Sequence, residues 1–344
     1  MMKKKFFAAA LAGVLALQLS ACGGGASPDS NAAGNDNNDT AGGGASQSEP
    51  FEISMILKTT GSEFWQILQR GAEAYEEEHP DLVKLSIKGP PSESEYEQQL
   101  NSIQTDLSVD SYDGYLIAPL QSDAVANKIA DVDRPVIAFD TNIDSPKCIS
   151  FVGTGNKEAA KQGAIAAVEA AKAAGWEEIK CIEIAGVQGD ATNTARMEGF
   201  REGITESGGE FLDKETQYAN AVADQAVTCM EGIIGKYPEG IAIICSNNDD
   251  MATAAARVAK SNENYKNTII LGFDGQQGAC EAILEGTLTM TAAQNNYELG
   301  YKAVETMVQA LQGKEVPPVV DTGTEIVTKD NAQDRLDRLT SYLK

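Results

Sequence analysis

The chain of 344 residues holds a single histidine, His79, which stands before Pro80 at what reads as a helix end. That scarcity removes much chemistry at once. A Ser-His-Asp triad would have to use this one imidazole, and a His-rich zinc site cannot be assembled. His79 reads as a solvated terminal residue. Besides Cys22 there are five cysteines, at 148, 181, 229, 245 and 280, with no C-x-x-C pair and no regular spacing. No disulfide framework is implied, and Cys181 and Cys245 stand in apolar β-like runs where free Cys acts as a small buried hydrophobe. No G-x-x-x-x-G-K-[ST] loop occurs, and Gly153-Thr154-Gly155, which follows a strand-like run, puts Glu158 where a dinucleotide fingerprint needs its third glycine. Neither a metal nor a cofactor is expected. Positive charge is scarce as well: 27 Lys and Arg against 51 Asp and Glu leave a formal net charge of -24. Such acidity excludes a nucleic-acid partner, which needs a basic face. Glu76-Glu77-Glu78 reads as a solvated helix end.

What is present begins at the amino terminus. Lys3, Lys4 and Lys5 precede an apolar run from Phe6 to Leu19, the pattern of a secretory signal and too short to span a bilayer as a helix. The run closes on Leu19-Ser20-Ala21-Cys22, which resembles the bacterial lipobox. The resemblance implies residues 1–21 as a signal peptide, diacylglycerol attached to Cys22, and a mature protein anchored by acyl chains to the outer face of the bacterial cell membrane. Losing the signal's three lysines takes the net charge from -24 to -27. Residues 22–50 are dominated by Gly, Ala, Ser, Asn and Asp. A segment of that composition cannot bury enough apolar surface to offset its ordering entropy and reads as a disordered tether.

The roughly 290 remaining residues suffice for two lobes with separate cores. Short apolar runs recur between helical patterns: Ile53–Leu57, Val83–Ile87, Tyr115–Ile117, Val136–Phe139, Ile149–Val152, Ile179–Ile184, Ile241–Cys245 and Ile269–Phe273. Their near-continuous apolar character predicts strands covered on both faces, hence parallel α/β sheets. Glu63–Glu78 and Glu158–Ala174 read as intervening helices, the second ended by Gly175. In doubly wound sheets ligands collect at the carboxyl ends of strands. The residues there are polar: Lys58 to Trp65, Asp140-Thr141-Asn142, Asn247 to Asp250, Asp274-Gly275 and Gln294-Asn295-Asn296. Each alone is an ordinary turn or cap; together, at equivalent topological positions, they point to one shared polar site.

Leu57-Lys58-Thr59 with Phe64-Trp65, Ile117-Ala118-Pro119 with Ser122-Asp123-Ala124, Pro135-Val136-Ile137, Arg196 to Phe200, Asn248 to Ala252, Gly272 to Gly275, and Ala293-Gln294 follow one another in a telling order and spacing. In that order they resemble the periplasmic sugar-binding proteins of the ribose, allose and galactose type, from about residue 51 onward. The resemblance implies a type I periplasmic binding protein: two doubly wound parallel-sheet lobes joined by a three-crossover hinge. Lobe one would comprise 51–154 and 295–322, and lobe two 155–294 and 323–344. It implies Phe64 and Trp65 sandwiching a sugar ring, and Asp140, Arg196, Asn248, Asp274 and Gln294 bonding its hydroxyls. Lys58 would add a cationic donor. Thr141 stands where several ribose-binding relatives carry arginine, and Ser62 where they often carry Asn, which argues for a hydroxyl pattern other than ribose's. The rival readings are an interlobe ion pair of Asp140 with Arg196 and a helix cap for Asn248.

The implied function is that of a monomeric substrate-binding lipoprotein of an ABC importer. It would take a neutral monosaccharide or related polyol and present it to a membrane permease, without catalysis. A sensory receptor for a membrane kinase, or a binder of a nucleoside or furanose signal, remains the alternative. An exported glycosidase would need two opposed carboxylates, which Asp140 and Asp274 supply. A repressor would need DNA-binding helices, which the sequence does not offer.

Overall fold

The computed structural model describes residues 49–343, so the expected signal peptide, Cys22 and all but the last residues of the expected tether lie outside the described residues. The chain opens with β1 (Phe51–Ile56), α1 (Glu63–Glu78), β2 (Val83–Lys88), α2 (Tyr96–Ser108), β3 (Gly114–Ile117), α3 (Ser122–Lys128), β4 (Val136–Phe139) and β5 (Cys148–Gly153). There follow α4 (Asn156–Ala173), β6 (Lys180–Ala185), α5 (Ala191–Glu206), β7 (Glu210–Phe211), β8 (Gln217–Tyr218), α6 (Ala223–Lys236), β9 (Ile243–Ser246), α7 (Asp249–Lys260), β10 (Ile269–Asp274), α8 (Gln277–Glu285) and β11 (Met290–Gln294). The chain closes with α9 (Asn296–Leu311), β12 (Val319–Asp321), β13 (Thr324–Val327) and α10 (Ala332–Tyr342).

These strands form two sheets, the first in the order β12-β5-β4-β3-β1-β2 and the second in the order β13-β11-β10-β9-β6-β7, with β8 on β6. The fold is the expected α/β pair of doubly wound lobes. One strand departs from the parallel expectation: β13 runs antiparallel to β11, pairing Gln294 with Thr324. The cause is a short crossing. After β12 only Thr322 and Gly323, at φ +77°, separate the first sheet from the second, so the chain arrives at the carboxyl end of β11 and must run back along it.

Strands buried on both faces explain the legible apolar runs. In β1, Ile53 and Met55 pack with Trp65, Leu68 and Leu299 on one side of the sheet. Ile56 packs with Ile103 and Val125 on the other. In the second lobe Ile182 and Ile184 join Met230, Met251 and Tyr265, whereas Cys181, Ile243 and Leu271 join Val168 and Phe200. Cys181 and Cys245 are buried thiols with sulfurs 3.4 Å apart. Cys181 is in register with Ile243 and Cys245 with Glu183. That offset of two residues separates their Cα atoms by about 8 Å, beyond the reach of about 7 Å that a disulfide spans. His79 is half-buried rather than solvated, its ring centroid 4.5 Å from that of Tyr75.

Helices α1 and α9 approach closely because two glycines let them. A Cβ on Gly71 would lie 1.9 Å from the carbonyl oxygen of Tyr297, and one on Gly300 would lie 1.9 Å from that of Leu68. Gly71→Ala is therefore expected to push the helices apart and cost about 2–3 kcal/mol. Gly235→Ala, whose Cβ would meet nothing within 4 Å, should hold or raise stability. Thermal denaturation of the two variants side by side checks this, and equal melting temperatures would contradict the close-packing account.

Candidate functional site

The carboxyl ends of β1, β4, β6, β9 and β10 turn toward one cleft between the lobes. They bring Lys58, Ser62, Phe64, Trp65, Asp140, Arg196, Asn248 and Asp274 together around a cavity of about 40 Å³. That volume takes about three water molecules. Thr141 and Gln294, expected to touch a ligand, do not line it. The hydroxyl of Thr141 is spent on Asp140 Oδ2 at 2.8 Å and on Thr192 across the cleft at 2.6 Å. Gln294 donates from Nε2 to Asp274 Oδ1 at 2.8 Å and so stands behind the carboxylate.

Four polar residues absent from the sequence expectation also line the cavity, Glu93, Asp190, Thr192 and Asn193, together with Asn247 of the expected run Asn247 to Asp250. All follow strand ends, Glu93 after β2, the next three after β6 and Asn247 after β9. Glu93, Asp190 and Asn247 stand in strand-end loops like Asp140 and Asp274, whereas Thr192 and Asn193 lie within the first turn of α5. Asp190 caps α5, accepting from the amides of Thr192 and Asn193 at 2.7 and 3.1 Å. It also receives Lys58 Nζ from the other lobe. Lys58 lies 3.4 Å from Asp140 as well, with both carboxylates buried. Burial pulls the Lys58 ammonium down, but Asp190, Asp140 and Glu93 more than offset it and hold the group above its ordinary value. Glu93 is pushed up to about 7 by burial, against the pull of Lys58.

Arg196 projects from α5 and is fixed on three sides. Its Nε donates to Asn156 Oδ1 at 2.9 Å and its Nη1 to the carbonyl of Asn247 at 2.7 Å. Its guanidinium lies 3.7 Å from the centroid of the Phe273 ring. Nη1 also stands 3.5 Å from Asp274 Oδ1. The alternative ion pair with Asp140 does not form; Lys58 makes the bridge between lobes instead. Burial raises the Asp274 carboxyl despite Arg196. Asn248 takes both of its anticipated parts, lining the cavity while its Oδ1 accepts from the Met251 amide at 2.9 Å and caps α7.

The aromatics are arranged differently from the expected sandwich. Phe64 and Trp65 meet edge to face, with centroids 5.2 Å apart and planes at 81°. Both belong to the first lobe's core, with Trp65 also against Phe139 at 6.2 Å. Adjacent on one helical turn, they form an aromatic corner at the wall of the cavity. Trp65 Nε1 donates to Glu93 Oε1 at 3.1 Å, which fixes the indole.

Two of the cleft carboxylates carry backbone strain. Asp140 has φ 59° and Asp274 φ 117°, conformations that cost a side-chain-bearing residue about 1–3 kcal/mol and persist where the surroundings impose them. Fixed carboxylates, a forked guanidinium and an ammonium facing an aromatic corner can together accept from and donate to a hydroxylated ring.

Residues 53–315 match the periplasmic binding protein domain family, and the chain belongs to that family. It is an extracytoplasmic solute-binding protein and not an enzyme. The ribose import binding protein RbsB of Escherichia coli (strain K12) is 27% identical over 280 residues, covering 80% of this chain and 90% of RbsB. The D-allose-binding periplasmic protein of the same organism is 27% identical over 278 residues, covering 78% of this chain and 87% of the relative. Among solved structures, an ABC transporter solute binding protein from Agrobacterium vitis with bound D-fucose superposes with a TM-score of 0.74 at 27% identity. The match covers 81% of this chain and 96% of that one.

Proposed function

We propose that the protein is the substrate-binding lipoprotein of an ABC importer, holding a neutral monosaccharide or related polyol between its lobes and presenting the closed form to a permease. The observation that carries this is the cleft itself. Asp140, Lys58 and Glu93 from one lobe face Arg196, Asp190 and Asp274 from the other beside an aromatic corner. Relatives named for ribose and for allose, and one solved with D-fucose, support the choice of sugar. Lobe one is taken as 51–154 with 295–322 and lobe two as 155–294 with 323–344. The tether of 22–50 would hold both off the membrane from a lipid on Cys22. Ligand contacts to both lobes favour closure, and that differential affinity is what a permease reads.

Calorimetric titration with D-ribose, D-allose and D-fucose, with X-ray scattering alongside, tests the reading. At least one sugar is expected to bind in the micromolar range or tighter, at about -8 kcal/mol, with a fall in radius of gyration. Absence of both heat and contraction across a wider set of neutral sugars and polyols would overturn it.

A further inference from the structure

Helix α10 lies beyond the region that matches the family, and one of its side chains reaches under the site. Arg335 is 2% exposed. Its Nε donates to the carbonyl of Gly275 at 3.0 Å, and its Nη2 to those of Asp274 at 3.3 Å and Gln294 at 2.5 Å. Nη1 meets Glu325 at 3.3 Å. One guanidinium thus gathers carbonyls from the ends of two neighbouring strands, β10 and β11. The turn it holds needs holding. Asp274 sits at φ 117° and Gly275 at φ 73°, and a Cβ on Gly275 would come within 2.2 Å of the Cβ of Ala293. From the other side Asp249 accepts from the amides of Gly275 at 2.7 Å and Gln276 at 2.9 Å. The amides are clamped by a carboxylate and the carbonyls by a guanidinium, which leaves the Asp274 side chain aimed into the cleft. Gln294 is also the last residue before the chain crosses to α9, and there α10 makes a second contact: Tyr342 stacks on Tyr297 with centroids 4.1 Å apart and planes at 11°.

We propose that Arg335 is a positioning residue for the ligand-binding carboxylate Asp274, and that through it α10 ties the site's strained turn to the crossover between the lobes. The proposal rests on the reading of Asp274 as a ligand contact. Lysine cannot replace Arg335, because an ammonium is a point donor without the planar fork that spans three carbonyls.

The test compares R335K, R335M, D274A and L339A in the full chain. Leu339 is a buried α10 residue, 1% exposed, that takes no part in the hydrogen bonds of Arg335, and its truncation reports what loosening the helix does by itself. Affinities for D-ribose, D-allose and D-fucose are measured beside melting temperature, together with amide hydrogen exchange without added sugar. Both Arg335 variants are expected to lose about tenfold or more in affinity, the equivalent of one charge-assisted hydrogen bond. They should also speed exchange at Gly275 to Gln277 and Asn295 to Tyr297. L339A should keep its affinity at a matched loss of melting temperature. Wild-type affinity and exchange in R335M, or an equal loss of affinity in L339A, overturns the proposal. Normal binding by D274A would instead sink the reading of Asp274, and exchange at the turn then decides the role of Arg335. R335K stands in where R335M fails to fold.

Discussion

Asp274→Ala is expected to lower affinity for the sugar at least about a hundredfold, because a buried carboxylate accepting two hydroxyls contributes about 1.5–3 kcal/mol per hydrogen bond. Its surroundings make the loss hard to mend. Arg196 at 3.5 Å and Gln294 Nε2 at 2.8 Å are arranged around the charge, and a methyl group satisfies neither. Asp274→Gly should bind as poorly as the alanine variant yet melt higher. At φ 117° alanine keeps the backbone strain of the native residue whereas glycine relaxes it, a difference of about 1 kcal/mol or more. Calorimetry and thermal denaturation of the pair separate the two effects. An alanine variant that binds within about tenfold of wild type, or alanine and glycine variants that melt alike, would contradict the assignment of this residue as both strained and ligand-bearing.

The same strain shows what a sequence can and cannot disclose. Buried strands are legible because each must present apolar side chains to both faces, so Ile53 to Leu57 or Ile269 to Phe273 can hardly be anything else. The polar residues that follow such runs are then readable as site candidates, and Asp140, Asn248 and Asp274 among them line the cavity. Glu93 and Asp190 obey the same rule but stand within Pro-, Ser- and Gly-rich loops, where a carboxylate looks like any turn residue until the fold brings up Lys58, from the same lobe for Glu93 and from the opposite one for Asp190. Distance along the chain hides such a partnership: Lys58 and Asp190 are 132 positions apart. Thr141 and Gln294 stand one layer behind the cavity; type and position show that a group is near a site but not which way its hydrogen bonds point. Helix α10 is illegible in the sequence for another reason. Arg335, Arg338, Asp334 and Asp337 make it read as a solvated charged segment, and the burial of Arg335 is imposed by carbonyls of β10 and β11.

Lys58→Met should open the molecule. Among the described residues its ammonium is the cation that pairs with both Asp140 and Asp190, joining them across the lobes beside Glu93. Removing one partner from a buried ionic cluster costs about 3–5 kcal/mol, because the charges left behind remain desolvated. Here the lobes can avoid that cost by separating. The variant without added sugar is therefore expected to scatter with a larger radius of gyration than wild type, and sugar affinity should fall about a hundredfold or more, since closure would bury carboxylates with no counter-charge. Lys58→Met with Asp190→Asn should recover part of the loss, and the shortfall from additivity measures the coupling. pH adds an independent reading. Burial lifts Glu93 to about 7 in the closed form, so closing takes up a proton between the ordinary carboxylate range and that value. Closure is thus favoured as pH falls through the window and disfavoured as it rises. The Lys58→Met defect should accordingly shrink at mildly acidic pH, where protonated Glu93 no longer repels its neighbours. A variant that stays compact, binds as wild type and shows no pH dependence would mean that the ion pair is an incidental contact and that closure rests on other bridges, such as Ser62 to Asp250 at 2.9 Å and the Gln277 amide to Glu63 at 2.6 Å.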